Sequence, residues 1–270
     1  MSQTAWTEIL KGIVNRCLRE VKPLLTTPEG TRIITIKPNE DATTAAETKA
    51  ESIATGIIKK ACSSAALFSE EQEYLLDPPN ASYLVLLDPV DCTHLAIRGL
   101  PGACVGICVM DLAQHNIVSS VIGDYYNCDL YWADESGAFR NGQQVQPATV
   151  TKLKDAYVLT CYGKASRVSK MLAGEGMTRE AFWIGSDGGI LAMAQVGDGR
   201  IDAYFDLMLG YKPYDFAAGA YFASRAGAFV TDEYGNPLQW PDNQHQRCKF
   251  VIAATSELNE AIRRSVGSVS

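Results

Sequence analysis

The hydrophobic pattern at the start of the chain has the period of an α-helix. Apolar side chains recur every three or four residues at Trp6, Ile9, Leu10, Ile13, Val14, Cys17, Leu18 and Val21. This spacing predicts an amphipathic helix that covers a core, and Pro23 marks its end. A strand over residues 32–36 follows. The composition after residue 42 then predicts a second long helix that reaches about Phe68.

Continuous apolar runs separated by turn residues come next, as is typical of buried strands. The run Tyr83 to Leu87 stops at Asp88, and a buried strand that ends in this way delivers a polar residue to the edge of a sheet. Residues 103–110, 117–122 and 130–133 are also strand-like, with turn signals at Asp111 and Asn141 between them. We expect an antiparallel meander.

After Pro147 the pattern changes to alternating strands and helices. Strands are predicted over 156–161, 182–184, 201–206, 229–231 and 250–254, and helices over 164–173, 189–196, 213–226 and from Ser256. The small residues of 213–226 allow close packing, in the core or at an interface, and Gly227 is placed to cap that helix. We predict an N-terminal α+β part over 1–147 and a C-terminal α/β part over 148–270, joined tightly into one functional unit.

Composition narrows the possible functions. The chain has 270 residues, 47% of them hydrophobic, which is enough to build a core. The net charge of −7 argues against nucleic acid as the main partner. We find neither a signal peptide nor a stretch of transmembrane length, so we expect a cytoplasmic protein without a membrane partner. The eight cysteines include no C-x-x-C pair; we interpret them as reduced thiols, with Cys104 and Cys108 packed in the interior.

The most distinctive local motif is Asp88-Pro89-Val90-Asp91-Cys92-Thr93. Two carboxylates three residues apart can converge on one point, which suits a hard cation such as Mg²⁺ or Mn²⁺. Taken alone, the same string is also compatible with a simple turn whose side chains cap the backbone.

Two further acidic elements lie in apolar surroundings. Glu70-Glu71 is predicted to end the second helix, and Asp215 opens the helix over 213–226. An aspartate in a first helical turn also suits the helix dipole, and the glutamates also fit a solvated pair. One shared cation would explain all three elements together.

These motifs resemble the inositol monophosphatase family, Mg²⁺-dependent phosphatases that include fructose-1,6-bisphosphatases. The resemblance rests on LLDPVDCT with Ser-Glu-Glu upstream, on GDYYNCDLYWADESGAFRNGQ, on GDGRIDAYFD, and on YDFAAG followed by SRAGAFVTDEYGNPL. The order and rough spacing match over residues 37–237. The resemblance implies an α+β fold, a layered αβαβα sandwich of the inositol monophosphatase and fructose-1,6-bisphosphatase type.

The resemblance also implies roles for individual residues. A first Mg²⁺ would be held by Glu70, Asp88 and the Val90 carbonyl, and a second by Asp88, Asp91 and Asp215. Glu70 and Thr93 would orient the attacking water, and Asp91 would be a further catalytic residue. The substrate would contact Asp91, the backbone amides of Cys92 and Thr93, and the residues Gly188, Gly189 and Asp206. Glu47 stands where the family has an aspartate near a third metal, so two or three Mg²⁺ ions are expected, with Mn²⁺ as an alternative.

The chain also departs from the family pattern. Cys92 replaces the usual glycine, and it would be strained if the backbone requires a positive φ. A thiol beside a metal could also make the enzyme sensitive to oxidation, whereas the simpler interpretation is a small residue tolerated in the turn. The segment 207–213 is about two residues longer than in the inositol enzymes.

We therefore expect a phosphoric monoester hydrolase that acts on a small polyol or sugar phosphate resembling inositol monophosphate. Alternatives within the class are a fructose-1,6-bisphosphatase, a histidinol-phosphatase and a 3′-phosphoadenosine phosphate phosphatase. A bisphosphate needs a second basic pocket, for which the candidates are Lys37, Arg98, Lys164, Arg167 and Lys212. An alternative of another class is a non-catalytic regulatory member of the family. The resemblance implies a homodimer.

Overall fold

The computed structural model describes residues 1–37, 42–161, 180–186, 188–241 and 243–267. The chain divides into two compact units, Met1–Ser136 and Gly137–Ser270. This division lies earlier than the change of pattern after Pro147. The predicted helix over 164–173, with Lys164 and Arg167, lies outside the described residues. None of the described helices combines the length and the apolar character that a bilayer crossing requires.

The first unit is built on a mixed, mainly antiparallel sheet. Its helices are α1 (Gln3–Glu20), α2 (Ala45–Ala61) and the short α3 (Thr93–Ala96). Its strands are β1 (Ile33–Ile36), β2 (Ala42–Thr44), β3 (Ala65–Ser69), β4 (Glu73–Leu76), β5 (Tyr83–Asp91), β6 (Cys104–Asp111), β7 (Asn116–Asp124) and β8 (Leu130–Asp134). This unit contributes the strand order β8-β7-β6-β5-β3-β4, and β1 pairs with β2. Strands β5 to β8 form the predicted antiparallel meander.

Helix α1 covers one face of this sheet, as its hydrophobic period predicts. Trp6, Leu10 and Ile13 are fully buried in a core that also contains residues of β5, β6 and β7. Gly123 permits the close approach, because a Cβ there would lie 2.5 Å from Val14. The amphipathic stripe thus fixes where the helix packs.

The second unit contains a five-stranded sheet and three described helices. Its strands are β9 (Gly137–Arg140), β10 (Gln143–Gln144), β11 (Tyr157–Thr160), β12 (Trp183–Ser186), β13 (Ala203–Tyr211), β14 (Phe229–Asp232) and β15 (Cys248–Ala253). Its helices are α4 (Ile190–Gly197), α5 (Pro213–Ala226) and α6 (Ser256–Gly267). Strands β9 and β10 pair with each other, and the larger sheet has the order β12-β11-β13-β15-β14. Its first three strands are parallel, and β15 is antiparallel to both of its neighbours.

Helix α5 has the predicted bounds and the predicted cap. Gly227 follows its last residue with φ 107°, a left-handed conformation that glycine adopts readily. Gly219 packs directly on α4, since a Cβ there would lie 2.7 Å from the Ile190 carbonyl oxygen. The small residues of α5 therefore serve the core of this unit.

The predicted extent of the second helix was wrong. Helix α2 ends at Ala61, and residues 65–69 form the buried strand β3, which runs parallel to β5. Alanines suit a helix, but Ala65 to Phe68 are buried without a break, as in a strand covered on both faces. The pattern also missed the short strands β2 and β4.

Candidate metal centre and active site

The end of β5 carries the two aspartates of the central motif. Asp88 pairs with Gly106 and Asp91 with Cys104, so β5 has one residue more than β6 between these pairs. Such a bulge re-aims side chains. The strand therefore runs through Asp91, beyond the predicted stop at Asp88. Asp88 is 2% exposed, and its Oδ1 accepts a hydrogen bond from the Val90 N–H at 3.1 Å.

Glu70 lies beside Asp88 because β3 runs parallel to β5. Ser69 pairs with Leu87, and the Glu70 N–H donates to the Leu87 carbonyl at 3.1 Å. Carboxylate oxygens of Glu70 and Asp88 lie within 4.8 Å of each other. Two carboxylates at this separation repel each other unless a proton or a cation intervenes. Carboxylate oxygens are the ligands that Mg²⁺ prefers, so the Glu70 and Asp88 side chains fit a magnesium ion.

Glu47 is positioned by the start of α2. Thr44 caps this helix in a reciprocal capping box with Glu47, which fixes the carboxylate at the first turn. Its Oε1 lies 2.8 Å from the Thr93 hydroxyl oxygen, which also lies 2.8 Å from the Val90 carbonyl oxygen. The hydroxyl has one proton and so donates to one of these acceptors at a time. Burial, together with the nearby Glu71 carboxylate, raises the pKa of Glu47.

Lys37 belongs to this acidic cluster. Its Nζ lies 2.9 Å from Glu71 Oε1 and 3.8 Å from Glu70 Oε1, and the Thr43 hydroxyl donates to the other Glu71 oxygen. Burial alone would lower the pKa of Lys37, but the Glu70 and Glu71 carboxylates raise it overall. Lys37 is thus paired with carboxylates, which leaves it a poor candidate for a second phosphate pocket.

Cys92 occupies a left-handed backbone conformation, with φ 61° and ψ 48°, immediately before α3. This is the condition under which replacing the usual glycine is strained. Its Sγ lies 3.6 Å from Asp91 Oδ1, and Cys104 Sγ lies 3.7 Å from Asp91 Oδ2. Cys104 is buried, as predicted, but it also contacts a site residue. Burial and the Asp91 carboxylate raise the pKa of Cys104, which keeps it a neutral thiol.

In the second unit, Asp206 lies within β13, where its pairing with β15 becomes irregular, and the other predicted site residues lie at helix starts. The backbone N–H of Lys212 donates to Asp215 Oδ2 at 3.2 Å. Asp206 is 4% exposed, and its Oδ1 accepts backbone hydrogen bonds from Met208, Leu209 and Gly210 at 2.8 to 3.3 Å. One Asp206 oxygen therefore holds the irregular part of β13 that follows it.

Gly188 and Gly189 precede α4. Gly188 has φ 86°, and a Cβ there would lie 2.4 Å from the Ala192 Cβ, so only glycine fits. Its carbonyl oxygen accepts a hydrogen bond from the Tyr204 hydroxyl at 3.2 Å.

Sequence reasoning missed a buried glutamate close to the acidic cluster. Glu51 is 1% exposed, and one of its oxygens accepts a hydrogen bond from the Gln72 amide. Within the described part of the chain, its other oxygen has no hydrogen-bond partner. The signals were present, because Thr44-x-x-Glu47 is a capping-box pattern and Glu51 follows Glu47 by one helical turn.

The chain is similar in sequence and in fold to known proteins. A sequence model of the Inositol monophosphatase family matches residues 3–270. A fructose-1,6-bisphosphatase/inositol-1-monophosphatase of Methanothermobacter thermautotrophicus is 26% identical over 274 residues, covering 97% of this chain and 96% of that protein. A Nus factor SuhB of Vibrio cholerae is 28% identical over 206 residues, covering 74% of this chain and 75% of that protein. A solved inositol monophosphatase from Anabaena has a TM-score of 0.82 at 20% identity, covering 99% of this chain and 97% of that one.

The fold is of the α+β layered class, as in the solved inositol monophosphatase. The chain belongs to the inositol monophosphatase family, whose members are Mg²⁺-dependent phosphatases. The predicted family and fold class are therefore confirmed.

Proposed function

We propose that this chain is a Mg²⁺-dependent phosphomonoesterase that hydrolyses a small polyol or sugar phosphate resembling inositol monophosphate. The observation that carries the proposal is the approach of the Glu70 and Asp88 carboxylates to within 4.8 Å at the ends of two neighbouring strands. The paired Glu47 and Thr93 side chains lie in the same unit and supply a hydroxyl backed by a carboxylate.

The candidate ligands for the metal are all oxygens. Glu70, Asp88 and the Val90 carbonyl would hold one ion, and Asp88, Asp91 and Asp215 a second. Glu47 would contribute to a third, and Mn²⁺ could replace Mg²⁺. When bound, the metal neutralises charge on the phosphate, lowers the pKa of a bound water and stabilises the departing alkoxide.

The protein's own groups handle the water and its proton. With the Thr93 proton directed at Glu47, the Thr93 oxygen accepts a hydrogen bond from the attacking water. The raised pKa of Glu47 makes its carboxylate a better proton acceptor at neutral pH. Glu70 and Asp91 would fix the direction of attack. The backbone N–H groups of Cys92 and Thr93, where α3 begins, would bind phosphate oxygens.

The substrate's hydroxyl groups would be recognised by the second unit. Gly188 and Gly189 offer backbone groups before α4, and the hydrogen bonds from Met208, Leu209 and Gly210 all go to the same Asp206 oxygen, Oδ1. A fructose-1,6-bisphosphatase, a histidinol-phosphatase or a 3′-phosphoadenosine phosphate phosphatase would use the same metal centre. We predict that the protein is a homodimer and that it is cytoplasmic.

A second candidate function is a non-catalytic regulatory role. The observation that favours it is the similarity to a relative named for a Nus factor, together with a cysteine in a left-handed position beside Asp91. Against it, Glu70, Asp88, Asp91 and Thr93 retain residue types suited to catalysis.

The deciding experiment measures phosphate release from inositol 1-phosphate, fructose 1,6-bisphosphate, histidinol phosphate and 3′-phosphoadenosine 5′-phosphate, with and without Mg²⁺. Asp91→Asn is the control for contaminating phosphatase. Turnover that needs Mg²⁺ and is lost in Asp91→Asn supports the enzyme and ranks the substrates. A folded protein that binds Mg²⁺ without hydrolysing any of the four favours the regulatory role.

A further inference from the structure

Two tyrosines of β13 form a hydrogen-bonded chain that ends on the backbone of Gly188. The hydroxyl oxygens of Tyr204 and Tyr211 lie 2.7 Å apart, and the Tyr204 hydroxyl donates to the Gly188 carbonyl oxygen at 3.2 Å. A carbonyl oxygen only accepts, so the single proton of the Tyr204 hydroxyl is directed at Gly188. Tyr211 is therefore the donor between the two hydroxyls, and its bond to Tyr204 fixes the direction of the Tyr204 proton.

The two phenol rings are held in place by the core of the second unit. Tyr204 is fully buried, and both rings stack on Phe250, with centroid distances of 6.3 Å for Tyr204 and 5.7 Å for Tyr211. Burial, together with the neighbouring Tyr204 hydroxyl, raises the pKa of Tyr211. Tyr211 therefore stays protonated at neutral pH and remains a hydrogen-bond donor.

The position of Tyr211 depends in turn on Asp206. The pairing of β13 with β15 is regular as far as Asp206 opposite Phe250, and it resumes at Tyr211 opposite Cys248. Between these two pairs, three backbone N–H groups of β13 donate to Asp206 Oδ1. The Asp206 carboxylate thus shapes the irregular segment that delivers Tyr211. Asp206 and Gly188, both predicted substrate contacts, are therefore connected through the two tyrosines.

The bond from Tyr204 acts on the peptide group between Gly188 and Gly189. The carbonyl of Gly188 and the N–H of Gly189 belong to this one planar group, so fixing the carbonyl also fixes the direction of the N–H. Neither glycine has a Cβ, and Gly188 has φ 86°, so sterics alone restrict rotation of this peptide less than elsewhere in the chain. The hydrogen bond from Tyr204 supplies the restriction that the glycines lack.

We propose that Tyr204 and Tyr211 are positioning residues for substrate selection: they fix the direction of the Gly189 N–H, which donates to a hydroxyl group of the substrate. This proposal rests on the proposed phosphomonoesterase function. It deepens that function, because it favours esters whose alcohol carries further hydroxyl groups over esters of a plain alcohol. Neither tyrosine contacts the reacting atoms in this proposal.

The test compares inositol 1-phosphate with cyclohexyl phosphate, which has the same ring without the hydroxyl groups. The quantity measured is the ratio of kcat/KM for the inositol ester to kcat/KM for the cyclohexyl ester. Loss of one oriented hydrogen bond should lower this ratio about tenfold in Tyr204→Phe and about threefold in Tyr211→Phe. Because Tyr211 acts through Tyr204, the double variant should match Tyr204→Phe rather than show the product of the two effects.

Both substitutions keep the ring that stacks on Phe250 and remove only the hydroxyl. The matched control is Tyr157→Phe, on β11 of the same sheet, whose ring stacks on Trp183; its ratio should equal that of the unaltered protein. If Tyr204→Phe does not fold, Tyr211→Phe alone decides. An unchanged ratio in Tyr211→Phe and in any folded Tyr204→Phe overturns the proposal, and so does a double variant whose effects multiply.

The outcome is separable from that of the proposed function. Hydrolysis of either ester by the unaltered protein tests the phosphomonoesterase alone. If neither ester is hydrolysed, calorimetric titration of both esters in Mg²⁺ gives the ratio of their affinities without turnover. A preference for the inositol ester that Tyr204→Phe or Tyr211→Phe weakens supports the positioning role, and equal affinities for the two esters overturn it.

Discussion

The Thr93 hydroxyl oxygen lies 2.8 Å from Glu47 Oε1, although the two residues are 46 positions apart in the chain. The same glutamate closes the capping box at the start of α2. One side chain therefore both caps the start of a helix and contacts the hydroxyl group of Thr93 in the aspartate motif. Because a capping box accepts Glu or Gln at this position, the two roles can be separated by substitution.

Glu47→Gln should slow catalysis without unfolding the protein. Glutamine keeps the capping box but cannot take a proton from Thr93, so kcat should fall by about 10²–10⁴. The measurements are kcat on the best substrate and the thermal unfolding midpoint, which should stay close to that of the unaltered protein.

Thr93 supplies the controls for this prediction. Thr93→Ser retains the hydroxyl and should keep most of the activity, whereas Thr93→Val removes it with little change in volume. Turnover at the unaltered rate in Thr93→Val would show that the hydroxyl takes no part in the reaction.

Cys92→Gly should stabilise the fold. The left-handed conformation at φ 61° costs an ordinary residue about 1–2 kcal/mol, and glycine avoids this cost while losing some chain entropy. We expect a net gain of about 1 kcal/mol and a rise of a few degrees in the unfolding midpoint. Cys92→Ala removes the same thiol without relieving the backbone, so it should show no gain. Equal midpoints for the glycine and alanine variants would contradict the strain argument.

Asp88→Asn should change stability and activity in opposite directions. In EDTA, the Asp88 and Glu70 carboxylates repel each other, so neutralising one should raise the unfolding midpoint of the metal-free protein. Mg²⁺ should stabilise the unaltered protein and leave the variant nearly unaffected, and turnover should be lost. Differential scanning fluorimetry across a Mg²⁺ series measures this. The control is Asp77→Asn, an exposed aspartate; a matching response there would attribute the effect to net charge.

The sequence predicted best what depends on local pattern. Helix α1 followed from its apolar period, and α5 from Pro213 at its start and Gly227 at its end. Residues 62–68 were misassigned because their alanines suit a helix, whereas β3 is specified by its parallel pairing with β5, which is a non-local interaction.

In the candidate site too, local sequence pattern predicted some features, and others depend on contacts between distant parts of the chain. The aspartate motif was identifiable because a buried strand ends in carboxylates. The contact of Cys104 with Asp91 depends on a one-residue bulge, and the pairing of Lys37 with Glu71 joins positions 34 residues apart. No local period encodes such contacts, so they required the fold.

The last prediction concerns pH and Glu51. Burial raises the pKa of this glutamate above its ordinary value, so the folded protein binds its proton more tightly than the unfolded chain does. Between the ordinary pKa and the raised one, the folded state therefore carries more protons, and its stability falls as pH rises. Glu51→Gln removes this dependence while keeping an acceptor for Gln72. In EDTA, the variant should thus gain stability relative to the unaltered protein as the pH rises above the ordinary pKa of a glutamate. Urea unfolding at each pH measures the difference, with Glu29→Gln, an exposed glutamate, as control. If the free energies of unfolding of Glu51→Gln and the unaltered protein changed in parallel with pH, ionising Glu51 would not destabilise the folded state.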